Sequence, residues 1–405
     1  HTYAYCNGNL QSLVARFVNN IALQPVDSAA ALSVVKPLMA WLGRVVDPIE
    51  LPVDFDDYMA LLRLTNPSAS DGLPFQVSHV GGSDPVAGKA PLLNRPAIAA
   101  SAVLAKTVLR HTETGQNDFD AVKRLLDNHP WLITVLMNAK AEAYKRDKLA
   151  TEPDWTGLPH DLKCRAVFTW PGWILCAVGP LIQAFKSCFR LFTVDPNSPN
   201  AIGFSWTDGG AEKLVSHFLR LEPGEEAVLV YGDDILYGRR TVDGVEFFAP
   251  DVVAMDLSLR RVHTDLLYYA VKLSIKSAPP EVIRFWPIFC PLLVGAPVLL
   301  ETTLLQKSAG LNSGGPGTSE VDSLAAMAIF VRYQQTKRPG ESFPDIAERC
   351  ANDLGMRLKP STLTVHRYVE GDRSLGVTFL GVTPHYVDTP HGSGWIPVRS
   401  DGDTA

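Results

Sequence analysis

The chain has 405 residues, 46% hydrophobic and 20% charged, which excludes a wholly disordered chain. At roughly 100–200 residues per domain it holds two or three domains or one large multi-lobed core. Its 37 basic and 43 acidic side chains sum to −6, which excludes the bulk electrostatic footprint of a dedicated nucleic-acid-binding module but leaves room for a local basic groove.

In chain order, apolar residues at helical spacing predict helices over 29–46 and 96–110, with a Ser-, Gly- and Pro-rich loop over 66–91 between them. A short helix is expected over 118–126, continuing toward 132–137. Further helices are expected over 179–192, after the Pro171-Gly172 break, and over 210–219. The character then changes: 225–239 reads strand, two-carboxylate turn, strand, and 245–255 reads as a strand ending at Asp256. Helices over 262–275, 319–333 and 343–354 and short strands over 376–379 and 395–398 complete the pattern. The expected fold class is α+β, with helices packed against a mostly antiparallel sheet.

The six cysteines (Cys6, Cys164, Cys176, Cys188, Cys290 and Cys350) form no CxxC pair and read as reduced, mostly buried thiols. The longest apolar stretch, 285–300, is too short for a membrane span and is interrupted by Pro287, Pro291 and Pro297. The chain begins with His1 and shows no signal-peptide pattern, which is expected of a processed product or a fragment.

Tyr231-Gly232-Asp233-Asp234 is the sharpest chemical feature. Apolar runs on both sides would hold two hard oxygen donors on a rigid tip, which suits Mg²⁺ or Mn²⁺. Taken alone, the same turn also reads as a plain solvated hairpin. Asp256 could share an ion with that tip or simply cap the next helix. The glycine-rich run from Gly310 through Ser313, Gly314 and Gly317 leads into a helix that starts at Thr318 and places Asp322 on the same face. Its backbone N–H groups could receive phosphate or sugar oxygens, or it could be an ordinary capped loop. Upstream, Lys140, Lys145, Lys163 and Arg165 form a local basic strip, readable as a cationic wall for triphosphate or as a solvated face.

Together these segments resemble the viral RNA-dependent RNA polymerases, and most closely the permuted branch of birnavirus and permutotetravirus type. The Gly-Asp-Asp hairpin comes first, then Asp256, then Ser313-Gly314, Thr318 and Asp322, which is the permuted order. The 354–359 segment, ending in Lys359, resembles the palm region that supplies a lysine near the pyrophosphate, and 376–381 resembles the turn that supports the primer.

The resemblance implies a right-hand polymerase with fingers over 1–205, palm over 206–390, and over 391–405 the start of a truncated thumb or a tail. It implies Asp233, Asp234 and Asp256 as catalytic metal ligands for Mg²⁺ or Mn²⁺, with Lys359 as proton donor. Lys140, Lys145, Lys163, Arg165, Arg261, Ser313, Gly314, Thr318 and Asp322 would bind nucleotide. The implied partners are RNA template and product, nucleoside triphosphates, and other viral replication or capsid proteins. The implied location is the host cytoplasm, in replication complexes or virus particles.

Two positions depart from the family pattern: Arg261 stands where an acid is usual, and Asp322 where Asn is usual. Their opposite charges predict an ion pair between them, with Arg260 as the alternative partner. The competing functional readings are a catalytically impaired, polymerase-like RNA-binding viral protein and a metal-dependent nuclease. The nuclease reading leaves the basic strip and the Ser-Gly loop unexplained.

Overall fold

The computed structural model describes residues 3–6, 24–62, 96–111, 119–140, 142–145, 165–207, 209–300, 302–390 and 392–399. The loop expected over 66–91 lies outside them. Strand β1 (Tyr3–Cys6) is followed by α1 (Ser28–Val45), β2 (Ile49–Glu50), α2 (Phe55–Met59), α3 (Pro96–Leu109) and α4 (Phe119–Asn128). Next come β3 (Val135–Lys140), β4 (Glu142–Lys145), β5 (Arg165–Thr169), α5 (Gly172–Cys188) and α6 (Gly210–Leu219). The meander β6 (Glu226–Tyr231), β7 (Asp234–Thr241) and β8 (Gly244–Phe248) leads to α7 (Met255–Ser258), α8 (Arg261–Ser274), β9 (Ile275–Ser277) and α9 (Pro280–Gly295). The chain closes with β10 (Val298–Leu300), β11 (Thr303–Leu305), α10 (Thr318–Thr336), α11 (Phe343–Asp353), β12 (Val365–Tyr368), β13 (Val382–Thr389) and β14 (Gly392–Arg399).

The central sheet runs β12-β8-β7-β6, antiparallel throughout. Strand alternation sends Tyr237 and Phe248 to one face, where they meet Phe330, Tyr333 and Phe343 of α10 and α11. Leu229, Leu236 and Phe247 face the other way, into a second cluster with Leu214 and Phe218 of α6. Gly238 allows that approach, because a Cβ there would lie 2.3 Å from the Phe218 ring. Between Glu320 and Val331 every residue of α10 is buried, as expected of a helix without a polar face. A second sheet, β11-β10-β3-β5, pairs β3 parallel to β10 and antiparallel to β5.

Several expected elements differ. The helix at 118–126 does not continue to 137; it ends at Asn128, and Val135 and Met137 are buried in β3. The helix expected from 179 begins at Gly172 and runs through Pro180. A buried tyrosine is inserted into the helical ladder there: the Tyr58 hydroxyl donates to the Ala177 carbonyl and accepts from Leu181 N–H, standing between two groups that would otherwise pair directly. The proline-interrupted 285–300 stretch is mostly helix α9, which contains Pro287 and Pro291. The strand expected over 245–255 stops at Phe248, before Pro250. Residues 376–379 are irregular, because Gly376, Leu380 and Gly381 all take positive φ, which an extended strand excludes. Among the described residues no helix is long and apolar enough to cross a membrane.

Candidate active site

Three segments distant in sequence are stitched together around the N-terminal part of α10. The first is the Gly-Asp-Asp hairpin. Tyr231 pairs with Asp234 across the ladder, leaving Gly232-Asp233 as a two-residue loop. Gly232 has φ 60° and Asp233 is not positive, the pattern of a type II′ turn, which needs glycine first. The Gly232 N–H is buried and donates to Ser323 Oγ of α10 at 2.8 Å, and Ser323 Oγ donates to the Ser319 carbonyl at 2.8 Å. The tip is therefore fastened to the helix one residue from Asp322.

The second segment carries Asp256. Val252 makes a single bridge to Leu358, and Ala254 turns left-handed at φ 45°, after which α7 begins with Asp256 in its first turn. Asp256 thus lies on a helical turn rather than at a strand end, with a strained alanine two residues before it; such strain is enriched at functional sites.

The third segment is the glycine-rich loop. Gly310 N–H donates to the Leu259 carbonyl at 2.7 Å and Leu311 N–H to the Asp256 carbonyl at 2.6 Å, joining the loop to the Asp256 turn. On its other side the Ser313 carbonyl accepts from Phe168 N–H of β5 at 3.1 Å, and Trp170 Nε1 donates to the Asn312 carbonyl at 3.1 Å. Glycine is required by contact here: a Cβ on Gly315 would lie 2.2 Å from Trp170 Nε1. Ser313 Oγ is buried without a partner, and Thr318 Oγ1 donates back to the Gly315 carbonyl at 2.9 Å.

Electrostatics tie these carboxylates together. Asp322 is buried with Oδ1 unpartnered, and burial, then Asp256, Asp233 and Glu320, push its carboxyl well above the usual range. Asp234 rises to about 6 through the crowding of surrounding protein, although its own surface is open, and then through Asp233 and Asp251, opposed by Lys359. Burial lowers Lys307 to about 7, against the pull of Asp256.

Lys359 lies beside the predicted cluster, but paired: its Nζ donates to Asp251 Oδ2 at 2.6 Å and its backbone N–H to the Asp251 carbonyl at 2.7 Å. Asp251 and Lys307 were missed by the sequence reading. The available signal for Asp251 was an acid at each end of the apolar run 251–256; for Lys307 it was a lone lysine just before the glycine-rich loop.

The expected Arg261–Asp322 ion pair is not formed. Arg261 is the first residue of α8, its side chain is 74% exposed, and it faces Asp265 one helical turn on at 4.0 Å. Arg260 does not replace it, since its guanidinium donates to the Gln24 carbonyl. Lys140 and Arg165 are partners in the β3–β5 register, and Lys145 lies in β4 opposite Tyr3 of β1. Lys163 lies outside the described residues.

Among the described residues no three His, Cys, Asp or Glu side chains form a group that could hold a metal ion. The charges of Asp256 and Asp233 act on Asp322, and those of Asp233 and Asp251 act on Asp234. In kind the donors fit Mg²⁺ or Mn²⁺: hard carboxylate oxygens, with one buried oxygen, Asp322 Oδ1, unpartnered beside them.

This architecture is that of a viral polymerase. The structure of the birnavirus VP1-VP3 complex superposes with a TM-score of 0.72 at 16% identity, covering 98% of this chain and 55% of that one. The RNA polymerase VP1 from Infectious Pancreatic Necrosis Virus gives 0.70 at 16% identity, with the same coverage of 98% and 55%. The chain therefore spans about half the length of the solved structures it matches. A comparison with curated proteins finds no match. Residues 33–367 match the permutotetravirus RNA-dependent RNA polymerase palm domain, and the chain belongs to that family.

Proposed function

We propose that this chain carries out template-directed RNA synthesis, transferring nucleotides from nucleoside triphosphates to an RNA 3′-hydroxyl during replication of an RNA virus. The observation that carries the reading is a pair of fastenings: Gly232 to Ser323 of α10, and Leu311, in the loop that leads into α10, to the Asp256 turn. It gathers the carboxylate hairpin, the Asp256 turn and the Ser313-Gly314 loop, whose roles in the family are one reaction.

Asp233 and Asp256, with Asp234 assisting, would hold divalent cations. Such ions supply charge neutralisation at the reacting phosphate and a lowered pKa for the attacking hydroxyl. The backbone of the 310–317 loop would position template and incoming nucleotide, and the basic strip would offset triphosphate charge. Lys359, paired with Asp251, would deliver a proton to the leaving pyrophosphate; its charge acting on Asp234 supports this. Base choice would rest on Watson–Crick pairing, so the protein needs to read only shape and backbone. We assign 1–205 to the fingers and 206–390 to the palm, with α1 as a palm support: Ser33 and Gln335 are hydrogen-bonded, and Trp41 packs on Phe330 of α10.

The test is incorporation of labelled nucleotide on an RNA template, with and without Mg²⁺. Asp233→Ala and Asp256→Ala should each lower incorporation by about a hundredfold or more, the scale of lost transition-state charge stabilisation, while RNA binding stays near the parent value. Undiminished incorporation by either variant would refute the assignment.

A further inference from the structure

One lysine that the proposed reaction does not use lies among the glycine-rich loop, β5 and the Asp256 turn. Lys307 follows β11 after Gln306 and precedes the glycine-rich loop. Its Nζ donates to the Gly310 carbonyl, the residue whose own N–H is bonded to Leu259. The same ammonium lies 5.4 Å from the centre of the Phe168 ring in β5, a cation–π distance. Gly310 stands between it and the Asp256 turn: a Cβ there would lie 3.5 Å from Lys307 Nζ and 3.6 Å from the Asp256 carbonyl oxygen. Lys307 is half-buried, and Asp256 is the carboxylate that acts on it.

We propose that Lys307 is the resident counter-charge of Asp256: its ammonium holds the glycine-rich loop against the Asp256 turn and competes with a divalent cation for that carboxylate. The charge inventory motivates this. Asp256, Asp233 and Glu320 all act on the buried Asp322, and Glu320 has Lys186 at 3.7 Å. Asp256 has Lys307, delivered by a segment whose backbone is stitched to its own turn. A bound cation and this ammonium would serve the same carboxylate, so each weakens the hold of the other. Lys307 is thus a positioning residue that acts through Asp256 and the loop.

The inference rests on Asp256 being a cation ligand, and the experiment separates the two. Mn²⁺ binding to the purified chain, without nucleotide, is followed by the loss of the free-ion electron paramagnetic resonance signal. Lys307→Gln keeps a donor for the Gly310 carbonyl and removes the charge; Lys307→Met removes both and serves if the first variant misfolds. Either should bind Mn²⁺ more tightly, by about fivefold, the scale of one pair of unit charges a few ångströms apart in water. Lys307→Arg should return affinity to near the parent value. Asp256→Asn should weaken binding and abolish the effect of the Lys307 changes. A packing role alone would loosen the site and weaken binding, so unchanged or weaker affinity in both neutral variants overturns the counter-charge while leaving Asp256 as a ligand. If Asp256→Asn binds Mn²⁺ like the parent, the ligand assignment goes, and the counter-charge with it.

Discussion

Asp322 is buried beside Asp256, Asp233 and Glu320, and its carboxyl is held well above the ordinary range. The sign of the consequence follows from linkage. Below the unfolded value of about 4 both states are protonated and stability is full. As pH rises past it, the unfolded chain ionises first and stability declines until the folded value is passed. Asp234, raised to about 6, acts in the same direction. Asp322→Asn should therefore raise the melting temperature in metal-free buffer, with a gain that is largest near about pH 8 and vanishes toward about pH 4; thermal unfolding at several pH values checks it. The acids on the hairpin and Asp256 were readable from sequence because apolar flanks announce them. The Arg261–Asp322 pair depends on helical phase, and phase is set by where α8 starts, a tertiary matter that spacing alone does not determine.

Among the elements, the fastening of the hairpin to α10 is the most exposed to a single atom. Ser323→Ala removes the acceptor of a buried Gly232 N–H. An unsatisfied buried donor costs about 1–3 kcal/mol, so the melting temperature should fall, and amide exchange at Gly232 should quicken more than in β7. Gly315→Ala should be worse for the loop, since its Cβ would enter the Trp170 ring at 2.2 Å. Overpacking of this kind costs about 1–3 kcal/mol, visible as changed Trp170 fluorescence and lower stability. The periodic helices 210–219, 262–275, 319–333 and 343–354 were legible to within a few residues, because one or both faces are apolar. The helix with Pro287 and Pro291 was not, because proline signals a break whose outcome depends on neighbours. Nor was β3, whose burial comes from parallel pairing with distant β10.

For the whole molecule, a charge of −6 coexists with Lys140 and Arg165 as backbone partners in the β3–β5 register. Replacing Lys163 and Arg165 together by Ala should raise the apparent nucleotide KM more than it weakens template binding, as measured by steady-state incorporation and RNA titration. Equal loss in both would make the strip a general RNA surface. The chain also places its working parts out of the order most polymerases use, and the geometry says why that order is immaterial. Helix α10 and strand β6 are pinned at both extremities: Ser323 takes the Gly232 amide at one, while Tyr333, Gln334 and Lys337 all grip Glu226 at the other. Parts clamped through space at two points keep their alignment whichever is synthesised first. Gene rearrangement can therefore shuffle such segments freely, provided the loops reach and the pins survive.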